Sequence, residues 1–318
     1  FFCSIEMPEA EYWLSEYVTK EVVVKFKLKS ILYHAVTPFQ TIQVAECMPF
    51  GLTLILDGKT QSSEKDEFIY HESLVHPSLL MSENPKNVFI GGGGEGATAR
   101  EILKHRSIEK CIMVDIDKEV VEVSKKMLPT YGNGCWSDPR LEIHFEDALA
   151  YLKGYNDEPF DVIYMDISDP IEAGPGYKLY TKEFYEIVKQ KLKPNGIFVT
   201  QSGPSSLHNH TDYLSVVNRT LREVFGLVVP YLVEIPSFGS GWSFTMAFNS
   251  TQHYKSLTDI NRFSVEKMDE EIERRIEGEL RFLSGAAQLG LFGLPKFIEE
   301  SLDREDRVMT LSNPVYMH

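Results

Sequence analysis

The sequence predicts an α/β fold, a Rossmann-like sheet of the class I methyltransferase type preceded by a small antiparallel β domain. Three observations support this prediction. A glycine-rich segment joins an apolar run to a helical pattern, later apolar runs alternate with helical patterns, and the first part of the chain alternates apolar with polar residues. Strands that alternate with helices are typical of a parallel sheet, and period-two alternation is typical of half-buried strands. We predict a β-strand domain at 1–80 and a Rossmann-like domain at 81–318 with a helical extension at its C-terminal end.

The composition is that of a soluble globular protein with excess acid. Of the 318 residues 43% are hydrophobic, and 32 basic against 47 acidic residues give a net charge of -15. This charge disfavours nucleic acid and anionic membranes as partners. No apolar run is long enough for a membrane span, and no signal peptide is recognisable. Cys3, Cys47, Cys111 and Cys135 form no C-x-x-C pair, so we expect neither a zinc site nor a disulfide framework, and a cytoplasmic location.

The prediction of the β domain is based on three runs in which apolar and polar residues alternate, VVVKFKLKSILYHAV, FQTIQVAEC and LTLILDGKT. Asp57 and Gly58, directly after an apolar run, indicate a hairpin. We predict five or six strands, which would cover an active site or pair with another subunit. The helical pattern DEFIYHESLVHPSLL follows. Tyr70 and His71 lie at its start, where they would either face the ligand end of the sheet or be a packed tyrosine and a solvated histidine.

The glycine-rich segment VFIGGGGEGATARE predicts a strand, a tight turn and a helix. Glycines at this junction let a ligand approach bare backbone. Gly91, Gly93 and Gly96 satisfy G-x-G-x-x-G, so a dinucleotide site is one interpretation and a purely structural turn another. Glu95 would repel a pyrophosphate at the helix N-terminus. We therefore favour a ligand with a cationic or neutral tail, such as an S-adenosyl compound.

Acids follow the next two predicted strands. Asp115 ends the run CIMVD, where a carboxylate can accept both hydroxyls of a ribose, and Asp117 is expected to cap the following helix. The strand LEIHF is followed by Asp147 and Ala148, which are placed to bond an adenine edge; Asp147 could instead be a helix cap.

The fourth strand, FDVIYMD, ends at Asp166 and leads into the loop ISDPIEAGPGYKLYT. Such loops at the carboxyl edge of a parallel sheet often carry chemistry. Asp166 and Asp169 lie three residues apart there. No histidine or further carboxylate stands at ligand spacing, so we expect them to hold an organic cation and not a metal.

The remaining patterns complete the sheet and the extension. We predict the helix KEFYEIVKQKL, the strand GIFVTQ, the helix DYLSVVNRTLREVF and two closing strands with a hairpin at SFGSG. The tail from Ser264 should contain an acidic helix, a short helix near Pro295 to Leu302 and a strand at RVMTL.

Four ordered motifs, LDGKTQSSEKDEFIYHE, IGGGGEGATARE, VDIDKEVVEVSKK and DISDPIEAGPGYKLYTKEFY, together resemble the polyamine aminopropyltransferases over residues 10 to 315. The resemblance implies an enzyme without a cofactor, with decarboxylated S-adenosylmethionine as cosubstrate and a polyamine as acceptor, acting as a homo-oligomer. It implies that Asp166 accepts the proton. It implies cosubstrate contacts from Gln40, Gly91, Gly93, Glu95, Asp115, Ile116, Asp147, Ala148 and Pro175, and polyamine contacts from Tyr70, His71, Glu95, Asp166, Asp169 and Phe238.

Two features depart from the family's commonest pattern and resemble the plant-type thermospermine synthases. The glycine loop reads E-G-A in place of an aspartate and two glycines, and the acidic loop is longer, which adds Glu172. Phe238 stands where related enzymes often have a tyrosine, so it offers no hydroxyl. The expected reaction is therefore the conversion of spermidine to thermospermine. Spermine or spermidine synthesis, polyamine N-methylation and an inactive polyamine-binding regulatory subunit remain alternatives.

Overall fold

The structure is a computed structural model that describes residues 11–170, 175–250 and 263–316. Its first sheet is antiparallel, with the strands in chain order from one edge to the other. These strands are β1 (Tyr12–Tyr17), β2 (Val23–Val36), β3 (Thr41–Cys47), β4 (Gly51–Leu56) and β5 (Lys59–Ser63). Asp57 and Gly58 form the β4–β5 turn with φ values of 49° and 78°, which confirms the predicted hairpin. The predicted antiparallel sheet is thus present with five strands.

The second sheet has seven strands in the order β11-β12-β10-β9-β6-β7-β8. They are β6 (Asn87–Gly92), β7 (Lys110–Asp115), β8 (Leu141–Phe145), β9 (Phe160–Asp166), β10 (Leu192–Pro204), β11 (Leu227–Ile235) and β12 (Ser240–Phe248). The first five run parallel, and β12 pairs antiparallel with both β10 and β11. The chain leaves β6 towards β7 and later returns on the other side through β9. Open α/β sheets bind ligands at such a switch point.

Ten α-helices connect and flank the strands in the described part of the chain. They are α1 (Glu67–Met81), α2 (Ala97–Leu103), α3 (Lys118–Met127), α4 (Pro129–Gly132), α5 (Ala148–Gly154), α6 (Lys182–Lys191), α7 (Leu214–Arg222), α8 (Val265–Arg275), α9 (Gly285–Gly290) and α10 (Lys296–Arg304). Short 3-10 helices span Cys135–Ser137, Pro175–Tyr180 and Pro236–Phe238. Several helices begin where a side-chain oxygen accepts a backbone N–H of the first turn. Asp117 does so for α3 and Asp147 for α5, which matches the capping roles considered above.

The core has a layer on each face of the second sheet. Along β6, Val88 and Ile90 pack with α1 and α2, while Phe89 between them packs with α5, α6 and α7. Both faces are therefore buried, which explains why these parallel strands are apolar without alternation. Helix α1 is buried along nearly its whole length. That position brings its first turn to the switch point.

The C-terminal extension packs on α1 and the helices around it. The guanidinium of Arg275, in α8, donates to the carbonyls of Leu79, Leu80 and Ser82 at the end of α1. The predicted strand at RVMTL is wrong. Met309 instead bonds α6 and α7, its carbonyl accepting from the Lys182 amide and its amide donating to Thr220 Oγ1, both at 2.9 Å. Thr310 forms an isolated bridge with Asn313 and joins neither of the two sheets described.

The division of the chain after residue 80 stays a prediction; the structure places α1 against the second sheet. Cys47, Cys111 and Cys135 are buried free thiols. In the parts of the chain that the structure describes, no helix is both long and apolar enough to cross a membrane.

Candidate active site

A cleft opens at the carboxyl ends of β6, β7 and β9, and the first sheet covers it. The first sheet and its turns contribute Phe39, Gln40, Leu56, Asp57, Thr60 and Gln61 to the lining. The second sheet and its loops contribute five acids, Glu95, Asp115, Asp147, Asp166 and Asp169, together with glycines of the loop. The cleft is therefore strongly acidic, as a site for a cation requires.

The glycine loop is shaped by close backbone contacts. Gly92 and Gly93 have φ values of 83° and 75°, in the left-handed region that favours glycine. A Cβ atom at Gly92 would lie 2.1 Å from the carbonyl oxygen of Asp166. Gly93 lines the cleft, and its amide donates to the same carbonyl at 2.9 Å. Gly91 packs against Met165 instead of lining the cleft. The loop and the end of β9 thus hold each other in place.

Glu95 lies in this loop and bonds to the first turn of α1. Its Oε1 is 3.2 Å from His71 Nε2, and Nδ1 of the same ring is 3.0 Å from Glu67 Oε2. Burial by itself lowers the pKa of His71, but the hydrogen bonds and charges of the two glutamates raise it to about 10. His71 is fully buried behind Glu95. Its implied contact with polyamine stays a prediction, since both ring nitrogens face protein oxygens.

Asp166 ends β9 at the centre of the cleft, and the side chains among the described residues that donate to its carboxylate are neutral hydroxyls. Tyr70 Oη donates to Oδ1 at 2.8 Å and Thr98 Oγ1 to Oδ2 at 2.5 Å. Burial and the nearby charge of Glu95 raise the pKa of Asp166 to about 6, against the opposing effects of His71 and the two hydroxyls. A carboxylate with a pKa in this range can accept a proton and release it near neutral pH.

One end of the cleft offers the groups expected for an adenosyl ligand. Asp115 lies at the end of β7, and burial raises its pKa to about 7, although a hydrogen bond from the Asp117 amide opposes the rise. Ile116 and Ala148 line the apolar part beside Asp147. Gln40 also lines the cleft, with its Nε2 bonded to Asp117 Oδ2 at 3.0 Å. The structure brings these predicted residues together.

The other end contains Asp169 and a group of aromatic rings. Burial raises the pKa of Asp169, which is bonded at Oδ1 by Gln201 Nε2 at 2.9 Å. Phe238 packs edge to face on Tyr70 and on Trp242, with ring centroids 5.8 and 4.8 Å apart. These rings would suit the methylene groups of a polyamine. Pro175 begins the 3-10 helix Pro175–Tyr180, of which Gly176 and Leu179 line the cleft, and its implied cosubstrate contact stays a prediction. Glu172 lies outside the described residues.

His71, Glu95 and Asp166 also bring possible metal ligands together in space, although no histidine stands at ligand spacing from Asp166 in the sequence. Their candidate ligand atoms are within 4.8 Å of one another. His71, however, faces carboxylate oxygens with both nitrogens. A doubly protonated imidazole has no lone pair to offer a metal ion. The donor set therefore fits an ammonium group better than a metal.

Sequence reasoning missed several side chains of the site, among them Thr98, Gln201 and Trp242. Thr98 comes two residues after the last loop glycine and Gln201 follows an apolar strand run, so their positions alone mark them as polar groups at strand or loop ends. Their partners, Asp166 and Asp169, are 68 and 32 residues away in the chain. No local pattern carries that pairing.

Two family models match the chain. Residues 67–258 match the spermine/spermidine synthase domain, and residues 12–64 match the spermidine synthase tetramerisation domain. Among similar proteins, thermospermine synthase ACAULIS5 of Arabidopsis thaliana is 41% identical over 308 residues, which cover 96% of this chain and 88% of the relative. A polyamine aminopropyltransferase of Aeropyrum pernix is 40% identical over 306 residues, covering 96% and 95%.

Solved structures agree with the sequence relatives. A spermidine synthase in complex with the transition-state analogue AdoDATO superposes with a TM-score of 0.83 at 32% identity, covering 94% of this chain and 97% of that one. The spermidine synthase of Thermotoga maritima gives 0.81 at 31% identity, with the same coverage.

Proposed function

The chain belongs to the spermine/spermidine synthase family and is an aminopropyltransferase, and on that premise we propose that it converts spermidine to thermospermine. The donor is decarboxylated S-adenosylmethionine, and the second product is 5'-methylthioadenosine. The observation that carries the proposal is the partly buried carboxyl of Asp166, with a pKa of about 6, directly beside Glu95 in an acidic cleft.

The donor would bind across the glycine loop. Asp115 is placed to accept the ribose hydroxyls, and Asp147, Ile116 and Ala148 to surround the adenine. Glu95 would hold the ammonium of the aminopropyl tail. A carboxylate at this position attracts that ammonium and repels the carboxylate on the tail of S-adenosylmethionine, so it selects between the two donors by charge.

The acceptor would lie along Tyr70, Phe238 and Trp242, with Asp169 holding a distant ammonium. The attacking amine is protonated near neutral pH and must first lose a proton, which Asp166 accepts. The nitrogen then forms a bond to the methylene carbon next to sulfur. The carbon–sulfur bond breaks, and its electron pair returns to sulfur to give a neutral thioether. The sulfonium is itself the leaving group, so we propose no metal or cofactor for this reaction.

Spermidine as acceptor and thermospermine as product are supported by the 41% identity to a thermospermine synthase and by the acidic, aromatic-lined acceptor end. The test is to give the purified protein decarboxylated S-adenosylmethionine with putrescine and spermidine in competition. The products are then separated chromatographically against standards, because thermospermine and spermine have the same mass. Thermospermine is expected as the main product.

Other outcomes would change the assignment in defined ways. A preference for putrescine would make the protein a spermidine synthase, and spermine as main product would overturn the regiochemistry. Methylated polyamine from intact S-adenosylmethionine would indicate an N-methyltransferase. Absence of turnover with any of these pairs, despite binding, would favour a regulatory subunit.

We further propose that the protein is a homo-oligomer, a dimer or tetramer, in the cytoplasm. The first sheet matches the tetramerisation domain, and it exposes large apolar side chains, among them Tyr12, Trp13, Tyr17, Ile31 and Leu32. Exposed apolar groups clustered on one domain are typical of a subunit interface. Light scattering after size-exclusion chromatography tests the assembly, and a monomer at micromolar concentration would contradict it.

A further inference from the structure

Behind the glycine loop, four charged side chains form a continuous buried chain. The guanidinium of Arg100, in α2, bonds both carboxylate oxygens of Glu67, at 3.1 and 2.8 Å. Glu67 bonds His71 at 3.0 Å, and His71 bonds Glu95 at 3.2 Å. Charges therefore alternate from α2 through α1 to the carboxylate that lines the cleft.

The bonding partners of His71 define its protonation. Nδ1 faces the carbonyl and the carboxylate of Glu67, at 2.7 and 3.0 Å, and Nε2 faces the carboxylate of Glu95. All of these are acceptors, whereas a neutral imidazole carries only one N–H. When both glutamates are ionised, both ring nitrogens must donate, so His71 is an imidazolium. Loss of either proton would set a nitrogen lone pair against an oxygen in a buried site.

We propose that Glu67 and Arg100 are positioning residues, which keep His71 doubly protonated and so fix a cation between Glu95 and the base Asp166. This inference rests on the proposed function, because it assigns Glu95 to the donor and Asp166 to the proton. It adds two residues that contact neither substrate. Their role is exercised through His71 alone.

The cation matters because Glu95 and Asp166 are close. Oxygens of the two carboxylates lie within 4.8 Å of each other, and both side chains are largely shielded from solvent. Two carboxylates at such a distance repel and retain one proton between them to a higher pH. The charge of His71 opposes that effect on Asp166. With a neutral His71, less Asp166 would be ionised at neutral pH, and less would be available to accept the amine proton.

Arg100 is needed to keep the carboxylate of Glu67 ionised. A buried carboxylate that bonds only an imidazolium has lone pairs left over, and the paired guanidinium satisfies them while preserving its charge. Arg100 is itself held in place, donating to the Tyr131 carbonyl at 2.6 Å and to Glu101 at 2.7 Å. Further titratable groups near this chain are the phenols of Tyr70 and Tyr131 and the thiol of Cys135, whose pKa is also raised by burial. Burial raises the pKa of both phenols well above the usual range, so neither adds charge.

The test is a measurement of His71 protonation by NMR on protein labelled with 13C and 15N in the histidine rings. His71→Gln identifies the signal among the nine histidines. In the wild type, the imidazolium signal is expected to persist through pH 9. In Glu67→Gln, which keeps the size of the side chain and removes its charge, the titration midpoint should fall by about one to three pH units.

Glu101→Gln is the matched control. Glu101 is as buried as Glu67 and also pairs with Arg100, but its other partners are His76 and Lys104 and not His71. The control should leave the His71 midpoint within about half a unit of the wild type, because it is not a neighbour. Arg100→Lys should shift the midpoint less than Glu67→Gln, since a cation is retained.

Kinetic measurements then test whether the protonation of His71 affects catalysis. In Glu67→Gln the pH profile of kcat/KM should gain a decline at the His71 midpoint found by NMR, whereas a structural defect lowers kcat/KM by one factor at every pH. A neutral His71 in the wild type at pH 8 overturns the proposal even if the variant fails to fold. So does an unshifted midpoint in folded Glu67→Gln, or a uniform loss of kcat/KM. The NMR result does not depend on the product, so a wrong acceptor assignment would be seen separately in the chromatogram.

Discussion

Two carboxylates on opposite sides of the cleft, those of Glu95 and Asp166, have different kinds of hydrogen-bond partner. On the glycine-loop side, Glu95 is bonded by His71, a buried cation. On the β9 side, the carboxylate of Asp166 is bonded by the hydroxyls of Tyr70 and Thr98, with no cationic donor among the residues that the structure describes. A paired cation favours the ionised form of a carboxyl group, whereas burial with neutral donors raises the pKa. Because their partners differ, Glu95 and Asp166 can have different tasks although they lie a few ångströms apart. In the proposed reaction, Glu95 binds a positive charge, and Asp166 accepts a proton.

The largest expected effect is on the β9 side. Asp166→Asn should reduce kcat on the order of 100- to 10,000-fold, because the amide cannot accept the proton of the attacking ammonium. Donor affinity should change little. Turnover at saturating substrates is the measurement, with Asp161→Asn, at the other end of β9, as the control that retains activity. A variant with more than half of the wild-type turnover would refute the assigned role.

The next effect is on the glycine-loop side. Glu95→Gln should narrow the preference for decarboxylated S-adenosylmethionine over S-adenosylmethionine by about tenfold or more, because a charged hydrogen bond contributes about 1.5–3 kcal/mol. Calorimetric titration of both donors measures the ratio. 5'-Methylthioadenosine, which has no charged tail, is the control ligand and should bind both proteins alike. An unchanged ratio of the two donor affinities would show that Glu95 does not distinguish the donors by the charge of their tails.

A smaller effect should appear in the pH dependence. Asp166 must be ionised to act, so kcat/KM of the wild type should fall as the pH drops through about 6. Thr98→Val removes a hydrogen bond that lowers the pKa of Asp166, so the acid limb should move up by about one pH unit. Thr98→Ser keeps the hydroxyl and should keep the wild-type profile. A limb that stays near pH 6 in Thr98→Val would mean that Asp166 does not set it.

The smallest effect concerns the far end of the cleft. Gln201→Met removes the hydrogen bond to Asp169 and should raise KM for spermidine about three- to tenfold, with KM for the donor unchanged. Initial rates with each substrate varied in turn measure both constants. Tyr180→Phe removes another partner of Gln201 and should have the weaker effect. Equal changes in the two KM values would place Asp169 outside the acceptor site.

Much of the fold could be predicted from the sequence, because its signals are local. The alternating runs, the Asp57-Gly58 turn and the apolar run that ends at Asp166 each report on neighbouring residues alone. The predicted strand at RVMTL is wrong because strand formation also depends on contacts with residues distant in the sequence. Its apolar residues resemble a strand, but pairing needs a free sheet edge, and Met309 instead fills a place beside α6 and α7.

The candidate site, too, could be predicted only in part. Acids at strand ends could be located from the sequence, whereas the partners that set their properties could not. Glu67 and Arg100 lie 33 residues apart, and Tyr70 lies 96 residues from Asp166. Such pairings depend on how α1 and α2 pack, so only the structure distinguishes an acid bonded by a cation from one bonded by hydroxyls.

The most direct test of this contrast is to titrate decarboxylated S-adenosylmethionine into Asp166→Asn and Glu95→Gln side by side in a calorimeter. We predict a wild-type Kd within about threefold for Asp166→Asn and a Kd weakened about tenfold or more for Glu95→Gln. The opposite order, with Asp166→Asn losing the donor and Glu95→Gln retaining it, would contradict the division of tasks between the two carboxylates.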